Sequence, residues 1–211
     1  MSVLELRARR EFRRRAGLEE ATRRLLQYAV VPLWIGAGLA DWSCHRRTRI
    51  DETSGVEESA IHLLMMAEAG VPAALGLFLE VNAFVLAATL GSFALHQATA
   101  VWDVAYADGR RRVTPGEQHV HGLLEQVPAM ATAFLVALHW DQAAALLGRG
   151  GERPRLRPER KRRPPTRRYR MAFLSAVTGL VAVPYLEELW RCARTAAATP
   201  GTSSDPTEAR R

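Results

Sequence analysis

The sequence predicts an all-α protein: an integral-membrane helical bundle with about five transmembrane helices and a basic amphipathic helix at the N-terminus. Five separate apolar runs of 18–20 residues support this, because each can cross a hydrocarbon layer of about 30 Å. Basic residues flank these runs instead of mixing with them. The mean hydropathy of −0.11 is an average over these segregated parts, and a soluble bundle of buried helices is the weaker alternative.

Charge and cysteine content exclude several classes of function. The chain has 29 basic and 22 acidic residues and a net charge of +7, with arginines concentrated at 7–24 and 149–170. Basic runs beside apolar segments favour contact with anionic lipid headgroups, so we expect no nucleic-acid partner. The two cysteines form no CxxC or CxxCH motif, which argues against a disulfide framework, a zinc knuckle or covalent haem.

The composition divides the chain into five parts. They are a basic interfacial helix at 1–24, a four-helix membrane core at 25–148, a basic Arg/Pro linker at 149–170, a fifth membrane helix at 171–194 and a disordered tail at 195–211.

The membrane core has candidate spans at 25–42, 60–79, 83–102 and 122–140. Thr114-Pro115-Gly116-Glu117 places an N-cap, a first-turn proline and a capping-box glutamate before the fourth span, which makes this the clearest helix start. The second and third spans must be joined by a tight turn at Glu80–Asn82, although neither glycine nor proline marks it.

The distribution of arginine and lysine predicts the orientation. Five spans put the N-terminal arm and the linker on one side with 19 basic residues, against ten on the other. The positive-inside rule then predicts a multi-pass protein of the bacterial inner membrane with a cytoplasmic N-terminus.

This topology brings four helix ends to one membrane face, and imidazoles and carboxylates concentrate at those ends. Within each helix they are spaced by four or seven residues, so that each set shares one helix face. The candidate metal ligands are Asp41 and His45, Glu58 and His62, His96 and Asp103, and Glu117, His121 and Glu125.

Four helices that each offer an imidazole and a carboxylate resemble, in principle, the metal sites of carboxylate-bridged helical bundles. Nitrogen and oxygen donors without thiolates suit iron, zinc or manganese. We therefore expect a transition-metal cofactor, two iron ions in the first instance and zinc as the alternative. A metal-free proton relay or polar network is the other possibility. Haem would need no carboxylate beside each histidine.

Other ionisable residues receive lesser roles. His121 is preferred to His119 because it aligns with Glu117 and Glu125. Glu68 lies deep in the second span, off the Glu58/His62 face, and should have a partner. Glu187 and Glu188 end the fifth apolar run and are expected to be structural.

Several arginines lie at the same membrane face as the candidate metal ligands. Guanidinium groups bind phosphate or carboxylate bidentately, so they are a tentative binding rim for a substrate headgroup. The residues concerned are Arg46, Arg110, Arg111 and Arg112.

The strings AGLADWSCHRRTRIDETSG, FLEVNAF, LHQATAVWD and VTPGEQHVHGLLEQVP resemble a set of bacterial integral-membrane proteins with DxxCHR, LHQxTxxxD and PxEQHVH motifs. The resemblance covers about residues 34–140. It implies a bacterial membrane protein and implies no established activity. The HxxxH and HxxHH boxes of membrane desaturases and hydroxylases are absent from the sequence.

Three functions fit these observations. The first is a di-iron enzyme that oxidises a lipid or another apolar substrate from the bilayer, with a possible redox partner; its catalytic residues are not identified. The second is a zinc-dependent hydrolase of membrane lipids, in which a spare glutamate activates water. The third is a transporter or sensor that binds metal ions or protons without catalysis.

Overall fold

The computed structural model describes residues 3–198, except for the side chains of residues 3, 4, 6, 8–10, 12 and 15. Residues 199–211, which make up most of the predicted disordered tail, lie outside the described residues. Residues 195–198 instead belong to the last helix.

The described part of the chain is helical, with 81% of the residues in helices and no strands. The helices are α1 (Val3–Leu25), α2 (Val31–Thr48), α3 (Gly55–Phe78), α4 (Ala83–Ala107), α5 (Pro115–Leu138), α6 (Trp140–Leu146), α7 (Arg167–Val177) and α8 (Val183–Ala198). Single π-helical turns, Leu26–Val30 and Thr178–Ala182, join α1 to α2 and α7 to α8. The predicted all-α class is confirmed.

Five helices pack in a closed ring. Helix α2 contacts α5 and α8, α5 contacts α4, α4 contacts α3, and α3 contacts α8. The last helix therefore fills the gap between α2 and α3 and is part of the same bundle as the four predicted core helices. Side chains that point inward near one end of the ring can meet those of all five helices.

Four helices are long and apolar enough to cross a membrane: Gly55–Phe78, Ala83–Ala107, Pro115–Leu138 and the continuous Arg167–Ala198. At most 33% of the residues in their apolar windows are buried within the bundle. Such exposed apolar surface suits lipid far better than water. The first predicted span, 25–42, is helical but is not among these four.

The start of each core helix follows from its local sequence. Thr114 and Glu117 form the predicted capping box of α5, with Glu117 N donating to Thr114 Oγ1 at 3.2 Å. Asn82 caps α4, because its Oδ1 accepts from the backbone N–H groups of Phe84 and Val85.

The turn between α3 and α4 is stabilised from outside. Residues of the predicted linker run beside it: Lys161 N donates to Phe78 O at 3.0 Å, and Glu80 N donates to Glu159 O at 2.8 Å. Asn82 Nδ2 also donates to Arg157 O at 2.8 Å. The linker thus satisfies backbone groups that a tight turn without glycine leaves open.

Apolar packing holds the ring together below the polar end. Trp34 of α2, Met66 of α3, Leu124 of α5 and Tyr185 of α8 belong to one buried cluster. A second cluster around Val85 packs α6 against α4 near the opposite end. These contacts fix the depth at which the ionisable side chains of neighbouring helices meet.

Candidate metal centre

Three histidines and several carboxylates converge inside the ring, where α2 and α4 end and α3 and α5 begin. Burial is nearly complete for most of them, with exposures of 0–4% for Asp41, His45, Glu58, His62, Asp103, Glu117 and Glu188. Charged groups are rarely buried to this degree unless they are paired or hold an ion.

The first group of donors joins α2 to α5. His121 Nε2 lies 3.0 Å from Asp41 Oδ1, and His45 Nε2 lies 3.4 Å from Asp41 Oδ2. The Tyr185 hydroxyl donates to Asp41 Oδ2 at 2.9 Å, which fixes the orientation of the carboxylate. His119 is exposed, so His121 is the histidine of the pair that faces the cluster.

The second group lies at the centre of the ring. Glu188 of α8 lies between two histidines, with Oε2 2.9 Å from His45 Nδ1 and Oε1 3.7 Å from His62 Nδ1. The two imidazole rings stack with centroids 4.3 Å apart and an interplanar angle of 11°. One carboxylate therefore reaches both rings.

The third group joins α3 to α4. His62 Nε2 lies 3.1 Å from Asp103 Oδ1 and 3.7 Å from Glu58 Oε1. His45 belongs to both the first and the second group, and His62 belongs to both the second and the third. The three groups therefore form one connected cluster.

Each group could hold a metal ion, since its three donor atoms lie within 4.8 Å of one another. Many of these atoms have no hydrogen-bond partner in the described structure, which is costly in a dry interior. The unpartnered atoms are Asp41 Oδ1, His45 Nε2, Glu58 Oε2, both ring nitrogens of His62, Asp103 Oδ1 and Glu188 Oε1. A cation would satisfy these acceptors together.

Glu117 and Arg111 form an ionic support beside the donors. The Arg111 guanidinium is 1% exposed and lies 2.5 Å from Glu117 Oε1 and 2.6 Å from Glu58 Oε1. Burial disfavours its charged form, but the hydrogen bonds and charges of both glutamates outweigh this and raise the pKa of Arg111 above its usual value. Glu117 lies 3.5 Å from His45 but in none of the three donor groups.

The predicted arginine rim is therefore smaller than expected. The Arg111 side chain is buried and pairs with Glu58 and Glu117, so it does not belong to an exposed binding rim. Arg46 is exposed and pairs with Glu187 at 3.1 Å, and Arg110 stacks on Tyr106. Arg112 is exposed.

His96 does not join the cluster, although it shares a helix face with Asp103. A separation of seven residues is two turns, or about 10 Å along the axis. His96 instead lies 3.5 Å from Glu68, which provides the partner expected for that deep carboxylate. Glu125 is partly buried and belongs to none of the three donor groups.

Glu188 and Tyr185 are the residues that sequence reasoning missed, and the expectation that Glu188 is merely structural does not match its position. Helix α8 continues to Ala198, so Glu188 is not at a helix end. Val181, Tyr185, Glu188 and Cys192 recur at intervals of three or four residues and are all buried. An acid within such an apolar stripe was the available signal.

A cavity of about 20 Å³ adjoins the donors, which is room for about one water molecule. Asp41, His62, Asp103 and His121 line one part of it. Its remaining walls are Met65, Met66, Ala100, Val104, Leu124 and Glu125.

Val104 is 56% exposed on the surface of α4, so this side of the cavity is next to the outer surface of the bundle.

Comparisons with protein-family models, curated proteins and solved structures returned no match for this chain.

Proposed function

We propose that this protein is a membrane metalloenzyme with a dinuclear centre of two transition-metal ions, iron in the first instance, that oxidises a lipid or another apolar substrate. The observation that carries the proposal is the connected set of three donor groups that share His45 and His62. The donors come from five helices and are almost completely buried, except for His121, whose side chain is 13% exposed. Their number supports more than one ion, because no single ion can reach all of them.

The donor set favours two ions with a shared carboxylate. Glu188 has one oxygen near each of the stacked histidines, so this carboxylate would help to hold both ions. His45, His121 and Asp41 lie toward one side of it, and His62, Glu58 and Asp103 lie toward the other. Imidazole and carboxylate donors without thiolates suit iron and manganese as well as zinc.

Three features support chemistry on an apolar substrate. The small cavity reaches donors of both sides and has space for a water or a diatomic molecule beside the ions that these donors would hold. Its other walls are mainly apolar, and one of them is exposed toward the bilayer at Val104. Bound iron would supply redox chemistry, while the protein excludes water and orients the substrate beside the centre.

Surrounding residues would hold the donors in place. Tyr185 fixes the Asp41 carboxylate, and Arg111 compensates the charges of Glu58 and Glu117. Such partners orient ligands and tune the metal, as they do in other metal sites.

A zinc hydrolase is the second candidate, and Glu125 is the observation that favours it. This carboxylate lines the small cavity but is not part of a donor group, so it is placed to activate a water molecule there.

Metal analysis tests the dinuclear centre. Purified protein from cells supplied with iron, manganese and zinc should contain about two equivalents of metal. His121→Ala should lose metal, whereas the matched control His119→Ala should retain it because His119 is exposed. Less than about one equivalent in the wild type would refute the proposal.

Metal identity separates the two reactions. Iron together with dioxygen uptake by the reduced protein in liposomes would support oxidation. Zinc without dioxygen uptake, and loss of ester or amide cleavage in Glu125→Gln but not in Glu125→Asp, would support hydrolysis.

A further inference from the structure

A second polar site lies deeper in the bundle, between α3 and α4. His96 is 1% exposed, and its Nδ1 lies 3.5 Å from Glu68 Oε2. Thr99 Oγ1 donates to Glu68 Oε1 at 2.9 Å, and Ser92 Oγ donates to Glu68 O at 2.6 Å. Ionisable residues at this depth of a membrane helix are costly and usually have a function.

Glu68 and His96 line a second cavity, which is separate from the one at the metal centre and has a volume of about 1420 Å³. Most drug-sized ligands need about 300–1,000 Å³, so the space would take a lipid-sized molecule. Much of the wall is apolar, with Leu77, Phe93 and Val127 among the lining residues.

Apart from the 3.5 Å contact between His96 Nδ1 and Glu68 Oε2, several polar atoms of the residues that line this cavity have no hydrogen-bond partner within the described residues. They are both ring nitrogens of His96, Glu68 Oε2 and the indole Nε1 of Trp34, which lines the same cavity and is 5% exposed. Each such atom in an apolar interior costs free energy unless a ligand or water pairs with it. The wall is therefore built for an occupant that can form hydrogen bonds.

The same atoms limit what that occupant can be. One imidazole and one carboxylate are fewer ligands than a stable metal site requires, and neither belongs to a metal-compatible group. The Glu68 carboxylate disfavours an anion at this point. A neutral group that donates to Glu68 and accepts from His96 fits the pair best, and a group that only accepts can still pair with the His96 N–H.

We propose that this cavity binds an apolar molecule with one hydroxyl or carbonyl group. A hydroxyl donates to Glu68 and accepts from the His96 N–H, whereas a carbonyl accepts from the His96 N–H alone. The apolar part of the molecule occupies the space along Phe93 and Val127. The site is distinct from the metal centre, because His96 lies about 10 Å from Asp103 along α4. The proposal therefore does not depend on bound metal.

A phospholipid is the competing occupant. Arg23, Lys161 and Arg162 line another part of the same cavity and could contact a phosphate. A phospholipid would contact those residues and would not need His96. Replacing Arg162 should therefore weaken binding of a phospholipid, whereas replacing His96 should weaken binding of the proposed ligand.

Quenching of tryptophan fluorescence tests the proposal on the full chain in phosphatidylcholine nanodiscs. A decyl-substituted benzoquinone provides the carbonyl probe, and Trp34 provides a reporter within the cavity. The competitors are 1-dodecanol, which has a hydroxyl group, and n-dodecane, which has none. Trp34→Phe identifies the part of the signal that comes from this cavity.

We expect saturable quenching in the wild type and about fivefold weaker binding in His96→Gln, since about 1 kcal/mol of hydrogen bonding is lost. His139→Gln is the matched control, because His139 lines the same cavity away from Glu68. Displacement by 1-dodecanol but not by n-dodecane would show that a hydroxyl group suffices. Displacement by neither would restrict the ligand to a carbonyl.

Metal content keeps this proposal separate from that of the metal centre. His96→Gln should keep the metal content of the wild type, which also shows that the variant folds. Quenching that never saturates, or that is equal in His96→Gln and the wild type, would overturn the proposal. Binding lost in Arg162→Gln and displaced by phosphatidylglycerol would assign the cavity to a phospholipid instead.

Discussion

Helices α3 and α4 carry two polar sites of similar chemistry at two depths. His62 of α3 meets Asp103 of α4 at the end of the ring, and Glu68 of α3 meets His96 of α4 about two turns deeper. Each site starts from one imidazole and one carboxylate. They differ in what the other helices contribute.

At the end of the ring, α2, α5 and α8 add donors and leave a cavity of about 20 Å³. At the deeper pair, α2 and α5 contribute mainly apolar side chains, α8 contributes no lining residue, and the space that is left measures about 1420 Å³. We infer that the number of converging helices decides which ligand each site can hold: many close donors suit a cation, while an isolated pair beside a large apolar space suits a hydrogen-bonding organic molecule.

The largest effect on metal content is expected when Glu188, the donor between the two central histidines, is removed. Glu188→Ala should reduce metal content from about two equivalents to less than one, because this carboxylate reaches both central histidines. Glu187→Ala is the matched control, since Glu187 is next to Glu188 on α8 but pairs with Arg46 outside the cluster. Elemental analysis of both purified variants provides the measurement. Equal metal content in the two would mean that Glu188 is not a ligand.

The next effect concerns the ionic support of the cluster. Arg111→Leu leaves Glu58 and Glu117 buried without their counter-charge, and breaking such a buried pair costs about 3–5 kcal/mol. Thermal unfolding of the metal-free protein in detergent should shift to lower temperature.

Added metal should then stabilise Arg111→Leu more than the wild type, because the ion replaces part of the lost positive charge. The control Arg112→Leu changes an exposed residue of the same loop and should unfold like the wild type. An unchanged unfolding temperature for Arg111→Leu would contradict the support assigned to Arg111.

The smallest effect is expected for a residue that only orients a ligand. Tyr185→Phe removes the hydrogen bond to Asp41 and should weaken metal affinity by about 10–100-fold without abolishing binding. Competition with a coloured chelator measures this affinity. Tyr169→Phe loses a hydrogen bond to Gln27 far from the cluster and should bind metal normally. Wild-type affinity in Tyr185→Phe would remove Tyr185 from the set of supporting residues.

The elements of the fold could be predicted because their signals are local. Apolar runs of helical length, the Thr114–Glu117 capping box and the flanking arginines each depend on a few neighbouring residues. Spacings of four residues place Asp41 with His45 and Glu58 with His62 on common helix faces, and both pairs do contact in the structure.

Three features of the structure do not follow from local sequence. They are the depth of a side chain along the helix axis, the burial of a loop residue and the position of the last helix in the bundle. His96 and Asp103 share a face at a spacing of seven, yet they belong to different sites because a shared face says nothing about position along the axis. Arg111 is buried because two acids from different helices surround it, which its own loop sequence does not reveal.

The sequence by itself determined the helices, their caps and the set of polar residues at one end of the bundle, because helical periodicity and capping act over a few residues. Only the tertiary structure decided which of those residues meet. It placed Glu188 between His45 and His62, moved His96 to a separate pair with Glu68, and buried Arg111. These outcomes depend on how five helices close into a ring, and packing between distant segments sets that closure.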